Sequence, residues 1–565
     1  MRLPIPHARR KAIGRSTVAI VIIIVIVLAG GAYFYSTSTG GNKSTTSSAT
    51  TGVAAPLSLT FANVPNADPA KGSDEASSAA AVNLYDSLVF PTASGALVPD
   101  LATSQSVSSD GLTYTFNLRT TATFHNGDPV TADDVVFSMN RLLSIGQGYA
   151  YLFTPYVKST TATDTHTVVI SLKKTFGPFL SAIVRLYVLD KSLVNQHIAN
   201  QTAGPNGDYG STWLLTHDAG SGPYQMVSAN LLSDMTFSAY ANYWNGTNAN
   251  QPQTVKFIGT SDPATVNALF SKGQIQITDQ WQPYSNVQSL AALKGAKIVH
   301  IPTVNEFYLM VNTQAAPTDD ILVREAMSYA FNYTAITANV FPGSQASAGP
   351  VPSALPGHNP NIPTSHQDVA KAQSLIQQSK YAGSLSSYPI KYYWVAEVPA
   401  EEQMAVQFAS DMQKIGLTVN VVKQPWLSVV ASLASQTSSP NVVSITDGAS
   451  YFEAGSVLQS RYTTPSEGTW EQNEWLHNAT LDNLIFSALS TQDQTQRFQQ
   501  YYAIQAQIYN QYPTVYAFDV TENRAYYPTV VNWYAANGQP DSLLGYDFVF
   551  RNFQFFPAQM TALFG

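Results

Sequence analysis

The protein has 565 residues, of which 45% are hydrophobic, so it can build a sizeable core and is not globally disordered. Charged residues make up only 11%, against about 25% for an average soluble protein, and the net charge is −8. There is no stretch rich in lysine or arginine, which argues against a nucleic-acid partner. Cysteine is absent, which excludes disulfides, thiolate metal sites and cysteine nucleophiles.

The N-terminus predicts attachment to a membrane. Five basic residues within the first fifteen precede an uncharged apolar run over 17–35. About 20 apolar residues are enough to cross a bilayer as a helix, and the basic flank keeps the N-terminus inside. We therefore predict a retained anchor or signal over 1–35, with the rest of the chain outside the cell.

Two other interpretations of this segment stay open. It could be a secretory signal that is removed, although the apolar run is longer than usual and no clean cleavage site follows it. Alternatively, the residues before the run resemble the pilin-like signals of archaeal surface proteins, in which cleavage follows Gly14 and the apolar run is retained. A Ser/Thr-rich linker over 36–56 follows and is predicted to form a flexible stalk.

From residue 57 onward the pattern is globular and mixes strands with helices. Alternating apolar and polar residues predict strands, and apolar residues at helical spacing, with polar residues that can cap, predict helices. Thr131 is expected to cap one of these helices. The predicted strands cover 57–61, 112–118, 167–172, 224–227, 255–258, 274–278, 307–311, 390–394 and 417–422, and the predicted helices cover 76–88, 131–142, 262–272, 319–340, 368–379, 399–415 and 480–512.

One continuous run is more specific than these patterns. Residues 110–142 read DGLTYTFNLRTTATFHNGDPVTADDVVFSMNRL. This run closely resembles the signature of family 5 extracytoplasmic solute-binding proteins, the oligopeptide-, dipeptide- and nickel-binding subunits of ABC importers. Later segments match the family in the same order, including GSGPY at 220–224 and NYW at 242–244.

The resemblance implies an α/β fold of the two-lobed, class II periplasmic-binding-protein type with an extra inserted domain. It also implies a monomer that closes around a small-molecule ligand and delivers it to ABC permease subunits. No motif of a serine hydrolase, nucleotide-binding enzyme or zinc enzyme occurs, so we expect a binding protein without cofactor or metal. A membrane-tethered extracellular hydrolase is the less favoured alternative, because a catalytic pair of carboxylates is assembled in space and leaves no sequence motif. The implied division is lobe I over 57–95, 210–310 and 514–565, the inserted domain over 96–209, and lobe II over 311–513.

The same resemblance points to the ligand site. Peptide binders of the family carry an aspartate that pairs with the α-amine of the ligand, and here that position holds Ser450, between Asp447 and Tyr451. A hydroxyl cannot replace a desolvated carboxylate opposite an ammonium group. Either Asp447 therefore supplies the charge, or the ligand has no amine.

Aromatic residues keep a second ligand class open. Trp281 and Tyr284 follow a predicted strand where the family's loop faces the cleft, and Trp394 and Trp426 belong to the second lobe. Aromatic faces stack on sugar rings, so an oligosaccharide is the alternative to a peptide. The candidate ligand-binding residues are Trp281, Tyr284, Trp394, Trp426, Asp447, Ser450 and Tyr451.

Overall fold

The computed structural model describes residues 55–200, 206–538 and 543–564. The predicted anchor over 17–35 and all but the end of the linker lie outside these residues. Within the described ranges, no helix has both the length and the apolar character needed to cross a membrane.

The strands agree with most of the predicted ones and add several. In chain order they are β1 (Leu57–Phe61), β2 (Val89–Pro91), β3 (Leu97–Pro99), β4 (Ala102–Val107), β5 (Thr113–Leu118), β6 (Val157–Asp164), β7 (Thr167–Leu172), β8 (Tyr224–Asn230), β9 (Asp234–Ala239), β10 (Thr254–Gly259), β11 (Lys297–Val311), β12 (Gln345–Ala346), β13 (Ile390–Val395), β14 (Val419–Gln424), β15 (Val442–Asp447), β16 (Thr514–Tyr526), β17 (Val531–Asn532) and β18 (Gln554–Phe555).

The α-helices lie mostly in the second half of the chain. They are α1 (Glu75–Leu84), α2 (Ala132–Ile145), α3 (Phe179–Ala182), α4 (Lys191–Gln196), α5 (Ser211–Leu214), α6 (Pro263–Ser271), α7 (Tyr284–Ala291), α8 (Ile321–Ala330), α9 (Tyr333–Asn339), α10 (Val369–Gln378), α11 (Ala400–Gln413), α12 (Trp426–Leu433), α13 (Ala454–Tyr462), α14 (Ala479–Ser490), α15 (Gln494–Tyr509) and α16 (Pro557–Phe564).

Three sheets organise the described chain. Sheet A has the order β1-β10-β9-β8, sheet B the order β12-β16-β11-β15-β13-β14, and sheet C the order β4-β5-β7-β6. Sheet B is mixed, because β13 runs parallel to both β14 and β15 whereas β11 is antiparallel to β15 and β16. Sheet C is wholly antiparallel and consists of two strand pairs, β4-β5 and β6-β7, that are joined through β5 and β7.

Two long strands connect the hydrophobic cores. In β11, Val299 and Ile301 are buried in the core beside sheet A, whereas Phe307 and Leu309 belong to a core on one face of sheet B. Strand β16 pairs with β11 along the same course, and the register shifts between Pro302 and Glu306. The irregular stretch therefore lies between the part of β11 that is buried beside sheet A and the part that is buried on sheet B.

Three predicted elements differ from the structure for local reasons. The helix predicted over 319–340 is two helices, because the side chain of Asn332 caps a new one by accepting from the amide of Ala335 at 3.0 Å. The helix predicted over 480–512 is likewise divided, with Asp493 capping α15. The strand predicted over 274–278 is reduced to isolated bridges at Ile277.

Candidate ligand-binding site

The site is built at one edge of sheet B. The parallel strands β13, β14 and β15 end at Val395, Gln424 and Asp447, so their carboxyl ends meet at the same edge. In open α/β sheets, ligands bind in the crevice outside the carboxyl ends of the strands. The residues that follow, including Trp426, are therefore placed where a ligand can reach them.

A buried acidic cluster occupies this edge. Glu306 of β11 lies directly opposite Asp447 of β15 in the antiparallel register. Arg461 of α13 donates to both carboxylates, at 2.6 Å to Glu306 Oε2 and at 3.4 Å to Asp447 Oδ2. The hydroxyl of Ser347 donates to the other oxygen of Glu306 at 2.6 Å. The cluster thus holds its carboxylates in fixed directions.

The cluster has more acid than base. Burial raises the pKa of Glu306 to about 7, although Arg461 acts against the increase. Burial, and next the charge of Asp447, raise the pKa of Glu471 to about 8. The pKa of Asp447 is also raised by burial. The guanidinium group of Arg461 pairs with Glu306 and Asp447. Glu471 is partly exposed and makes no hydrogen bond or ion pair within the described chain, so this third carboxyl group has no paired cation.

Aromatic rings border the acidic cluster. The ring of Tyr308 lies over the guanidinium group of Arg461, with 4.0 Å from its centroid to the guanidinium carbon. Tyr308 belongs to a small apolar cluster of sheet B, against which Trp281, Trp426 and Trp470 pack. The rings of Trp426 and Trp470 meet edge to face, with centroids 5.4 Å apart. The hydroxyl of Tyr308 is buried and has no hydrogen-bond partner among the described residues.

The structure brings some of the predicted ligand residues together and separates others. Trp281 and Trp426 share the apolar cluster beside Asp447, and Tyr284 lines a small cavity together with Trp281. Trp394 is only 3% exposed and belongs to the core on the other face of sheet B. Tyr451 is fully buried in the core that sheet C shares with α13, α14 and α15.

Ser450 is fully occupied by contacts within the protein. Its hydroxyl is hydrogen-bonded to the hydroxyl of Tyr151 at 2.7 Å, and its carbonyl accepts from Nε of Arg185 at 2.9 Å. Its amide donates to the hydroxyl of Ser456 at 2.8 Å. Ser450 therefore joins segment 447–451 to Tyr151 and Arg185, in the neighbourhood of sheet C.

Sequence reasoning missed Tyr151, Glu306, Arg461 and Glu471. Glu306 carried a signal, because a carboxylate next to the apolar stretch of β11 is expensive to bury without a partner. Arg461 carried a weaker one, as a basic residue in the last turn of a helix that is buried throughout. Tyr151 and Glu471 come close to the site only through the tertiary fold.

Comparison with known proteins decides the family. The family model of bacterial extracellular solute-binding proteins, family 5, matches residues 96–468. This chain is a family 5 solute-binding protein. The family consists of binding proteins rather than enzymes.

Relatives and solved structures agree with this assignment. The solute-binding protein is 26% identical over 429 residues to the probable D,D-dipeptide-binding periplasmic protein DdpA of Escherichia coli, covering 74% of this chain and 78% of the relative. It is 29% identical to the dipeptide-binding protein of the same organism, covering 62% and 67%. DppA from Helicobacter pylori, solved in complex with the peptide STSA, has a TM-score of 0.77 at 21% identity and covers 89% of this chain and 98% of its own. The predicted two-lobed class II α/β fold is confirmed.

Proposed function

We propose that this protein is the extracytoplasmic solute-binding subunit of an ABC importer, and that it captures a short peptide between two lobes for delivery to the permease. The proposed division keeps the boundaries expected from the sequence. These boundaries assign β16 and all but the last residue of β11 to lobe I, although both strands run from the core beside sheet A into sheet B, where they pair with the strands of lobe II. The hydroxyl of Ser261, in proposed lobe I, donates to the carbonyl of Glu397, in lobe II, at 2.8 Å. Such a contact forms only when the lobes are together, so closure is expected to trap the ligand.

The observation that carries the proposal is the unbalanced acidic cluster at the carboxyl edge of sheet B. Buried carboxylates without a counter-charge are costly, and an ammonium group supplies both the charge and three hydrogen-bond donors. A peptide carries this group at its N-terminus. Asp447 and Glu471 are the proposed partners. Ser450 is already engaged, and Glu306 is inaccessible and held by Arg461 and Ser347 at 2.6 Å each. Asp447 is 9% exposed, and its carboxylate has only the longer 3.4 Å contact with Arg461.

Two relatives support a peptide as ligand by their names, a D,D-dipeptide-binding protein and a dipeptide-binding protein. The oligosaccharide alternative is less well supported, because the site presents ionisable carboxylates rather than the neutral hydroxyls and amides that suit sugars. It is kept as an outcome of the test.

The test compares matched ligands by thermal shift and calorimetry on the fragment from residue 53 onward. The probes are alanine tripeptide with a free N-terminus, the same peptide with an acetylated N-terminus, and gluco- and xylo-oligosaccharides. A ligand at about 100 times its dissociation constant adds roughly 2.7 kcal/mol of stability. We expect stabilisation by the free tripeptide alone and recovery of the peptide intact after incubation. Binding of the sugars alone, or cleavage of the peptide, contradicts the proposal.

Two variants assign the ammonium partners. Asp447→Asn and Glu471→Gln keep the side-chain shape and remove the charge. Each is expected to make the binding free energy of the free tripeptide less favourable by about 2–5 kcal/mol. Asp133→Asn, in an exposed ion pair with Lys191, is the matched control and leaves the affinity unchanged. Equal losses in all three variants contradict the assignment.

We further propose that residues 1–35 hold the protein at the outer face of the membrane, with the Ser/Thr-rich segment as a stalk. The proposal rests on the basic flank and the apolar run of the sequence. N-terminal sequencing of the native protein tests it. A mature chain that begins at Met1 or just after Gly14 retains the apolar run, and one that begins beyond Tyr35 contradicts the anchor.

A further inference from the structure

We propose that Trp281, Trp426 and Trp470 form an aromatic subsite that selects peptides whose first side chain is aromatic or large and apolar. This inference rests on the proposed function and adds the chemical class of the preferred peptide. It assigns a specificity role to residues beside the ammonium partners.

The three tryptophans share one location. Each is half-buried and packs against the same apolar cluster of sheet B, which includes Met310, Val429 and Ile445. Trp281 precedes α7, whereas Trp426 and Trp470 follow β14 and α13, so the two sides of the proposed cleft both contribute rings. In the proposed division Trp281 belongs to lobe I, and Trp426 and Trp470 belong to lobe II, so a side chain bound beside this cluster contacts indole rings of both lobes.

The other tryptophans are committed elsewhere. Trp394, Trp475 and Trp533 are buried, with exposures of 3%, 6% and 0%. Trp213 is stacked between two histidines, and Trp244 donates to Asp86 and lies beneath Arg119. By contrast, the indole N–H groups of the three subsite tryptophans donate no hydrogen bond within the described chain. Their partly exposed rings are therefore available to a ligand.

The position of the subsite fits the geometry of a peptide. The α-amine and the first side chain are attached to the same carbon, so their binding sites must be neighbours. Trp470 immediately precedes Glu471, which places an indole and an ammonium partner in one short segment. The carboxylate of Glu397 accepts from the amide of Trp426 at 2.9 Å and fixes the start of α12. The ring of Trp426 is held by its contacts with Trp470 and the apolar cluster before a ligand arrives, which lowers the entropic cost of binding.

The test is calorimetry on the same fragment with tripeptides that differ only in the first residue. The probes are Phe-Ala-Ala, Leu-Ala-Ala, Ala-Ala-Ala and Ser-Ala-Ala, all with free N-termini. Burial of a phenylalanine side chain predicts that Phe-Ala-Ala binds roughly tenfold or more tightly than Ala-Ala-Ala. Leu-Ala-Ala is expected between them, and Ser-Ala-Ala no tighter than Ala-Ala-Ala.

Variants connect the preference to the rings. Trp470→Leu and Trp426→Leu are expected to weaken the binding of Phe-Ala-Ala more than the binding of Ala-Ala-Ala. The ratio of the two affinities then falls toward one. Trp470→Phe keeps a ring and is expected to retain most of the ratio. Trp213→Leu removes a tryptophan outside the cluster and leaves the ratio unchanged, and circular dichroism and melting curves confirm that each variant folds.

The outcomes separate this inference from the proposed function. If none of the tripeptides binds, the proposed function fails. If they bind with equal affinities, or if Trp470→Leu weakens Phe-Ala-Ala and Ala-Ala-Ala by the same factor, the aromatic subsite is refuted while the peptide-binding role stands.

Discussion

Replacing Arg461 by methionine removes the guanidinium group that balances the buried acids. Methionine is similarly long and unbranched, so the substitution deletes the charge with little change in packing. Glu306 and Asp447 then face each other across β11 and β15 without a cation, and Glu306 keeps only the hydroxyl of Ser347 as a donor. The prediction is that folding becomes markedly less stable and more sensitive to pH.

The size of the expected loss of stability follows from the burial of the three side chains. Arg461 and Glu306 have side chains that are fully inaccessible to solvent, and Asp447 is 9% exposed. Removing one partner of a buried ion pair costs about 3–5 kcal/mol, because an uncompensated charge remains. Burial already raises the pKa of Glu306 to about 7, and losing the cation raises it further. The folded variant therefore binds protons that the unfolded chain releases, and its deficit grows as the pH rises from 5 to 8.

Urea denaturation of wild type and variant at pH 5 and pH 8 measures both effects. Lys191→Met, at a surface pair with 46% and 67% exposed side chains, is the control and is expected to cost less than about 1 kcal/mol. The double variant Glu306→Gln with Arg461→Met is expected to recover part of the loss at pH 8. A loss below about 1 kcal/mol, or one that is equal at both pH values, refutes the reasoning.

Three further predictions concern stability. Burial raises the pKa values of Glu401 and Glu474 to about 8 in the folded protein. The stability that comes from protonating these two groups is therefore complete below about pH 4.5 and is lost as the pH rises toward 8. The melting temperature of the ligand-free protein is expected to fall over that range, and a rise contradicts the raised pKa values. Thr131→Ala removes a capping box and is expected to lower the free energy of unfolding by about 1 kcal/mol in urea denaturation. An unchanged free energy of unfolding contradicts a stabilising role for this cap. Gly220→Ala places a Cβ 1.8 Å from the carbonyl oxygen of Leu84 and is expected to cost about 1–3 kcal/mol, whereas an unchanged midpoint contradicts this contact.

Local patterns predicted much of the fold. The strand over 167–172 has the predicted bounds, and the helix after Thr131 begins where its cap implied. Both signals lie within a few residues of the element they specify. The prediction of one helix over 319–340 was wrong, because Asn332 starts a second helix. The apolar spacing continues across this position, so it does not reveal the break.

The site was less predictable than the fold. Asp447 could be proposed from the sequence, because the resemblance to the family places it beside the expected amine-binding position. Glu471 and Tyr151 could not, since their proximity to Asp447 depends on chain segments that meet only in the folded protein. Trp394 was expected to line the cleft but belongs to a core. An aromatic residue at the end of a strand has the same sequence pattern whether it faces a crevice or a core.

The continuous strands β11 and β16 have a consequence for dissection of the molecule. Expression of residues 311–513 alone removes both strands and leaves β15 with one long side unpaired at the centre of sheet B. The exposed strand is mostly apolar and is buried in the intact protein over Val442-Val443-Ser444-Ile445. Unprotected edges of this kind recruit other chains. The fragment is therefore expected to aggregate, because its sheet depends on strands that lie outside residues 311–513.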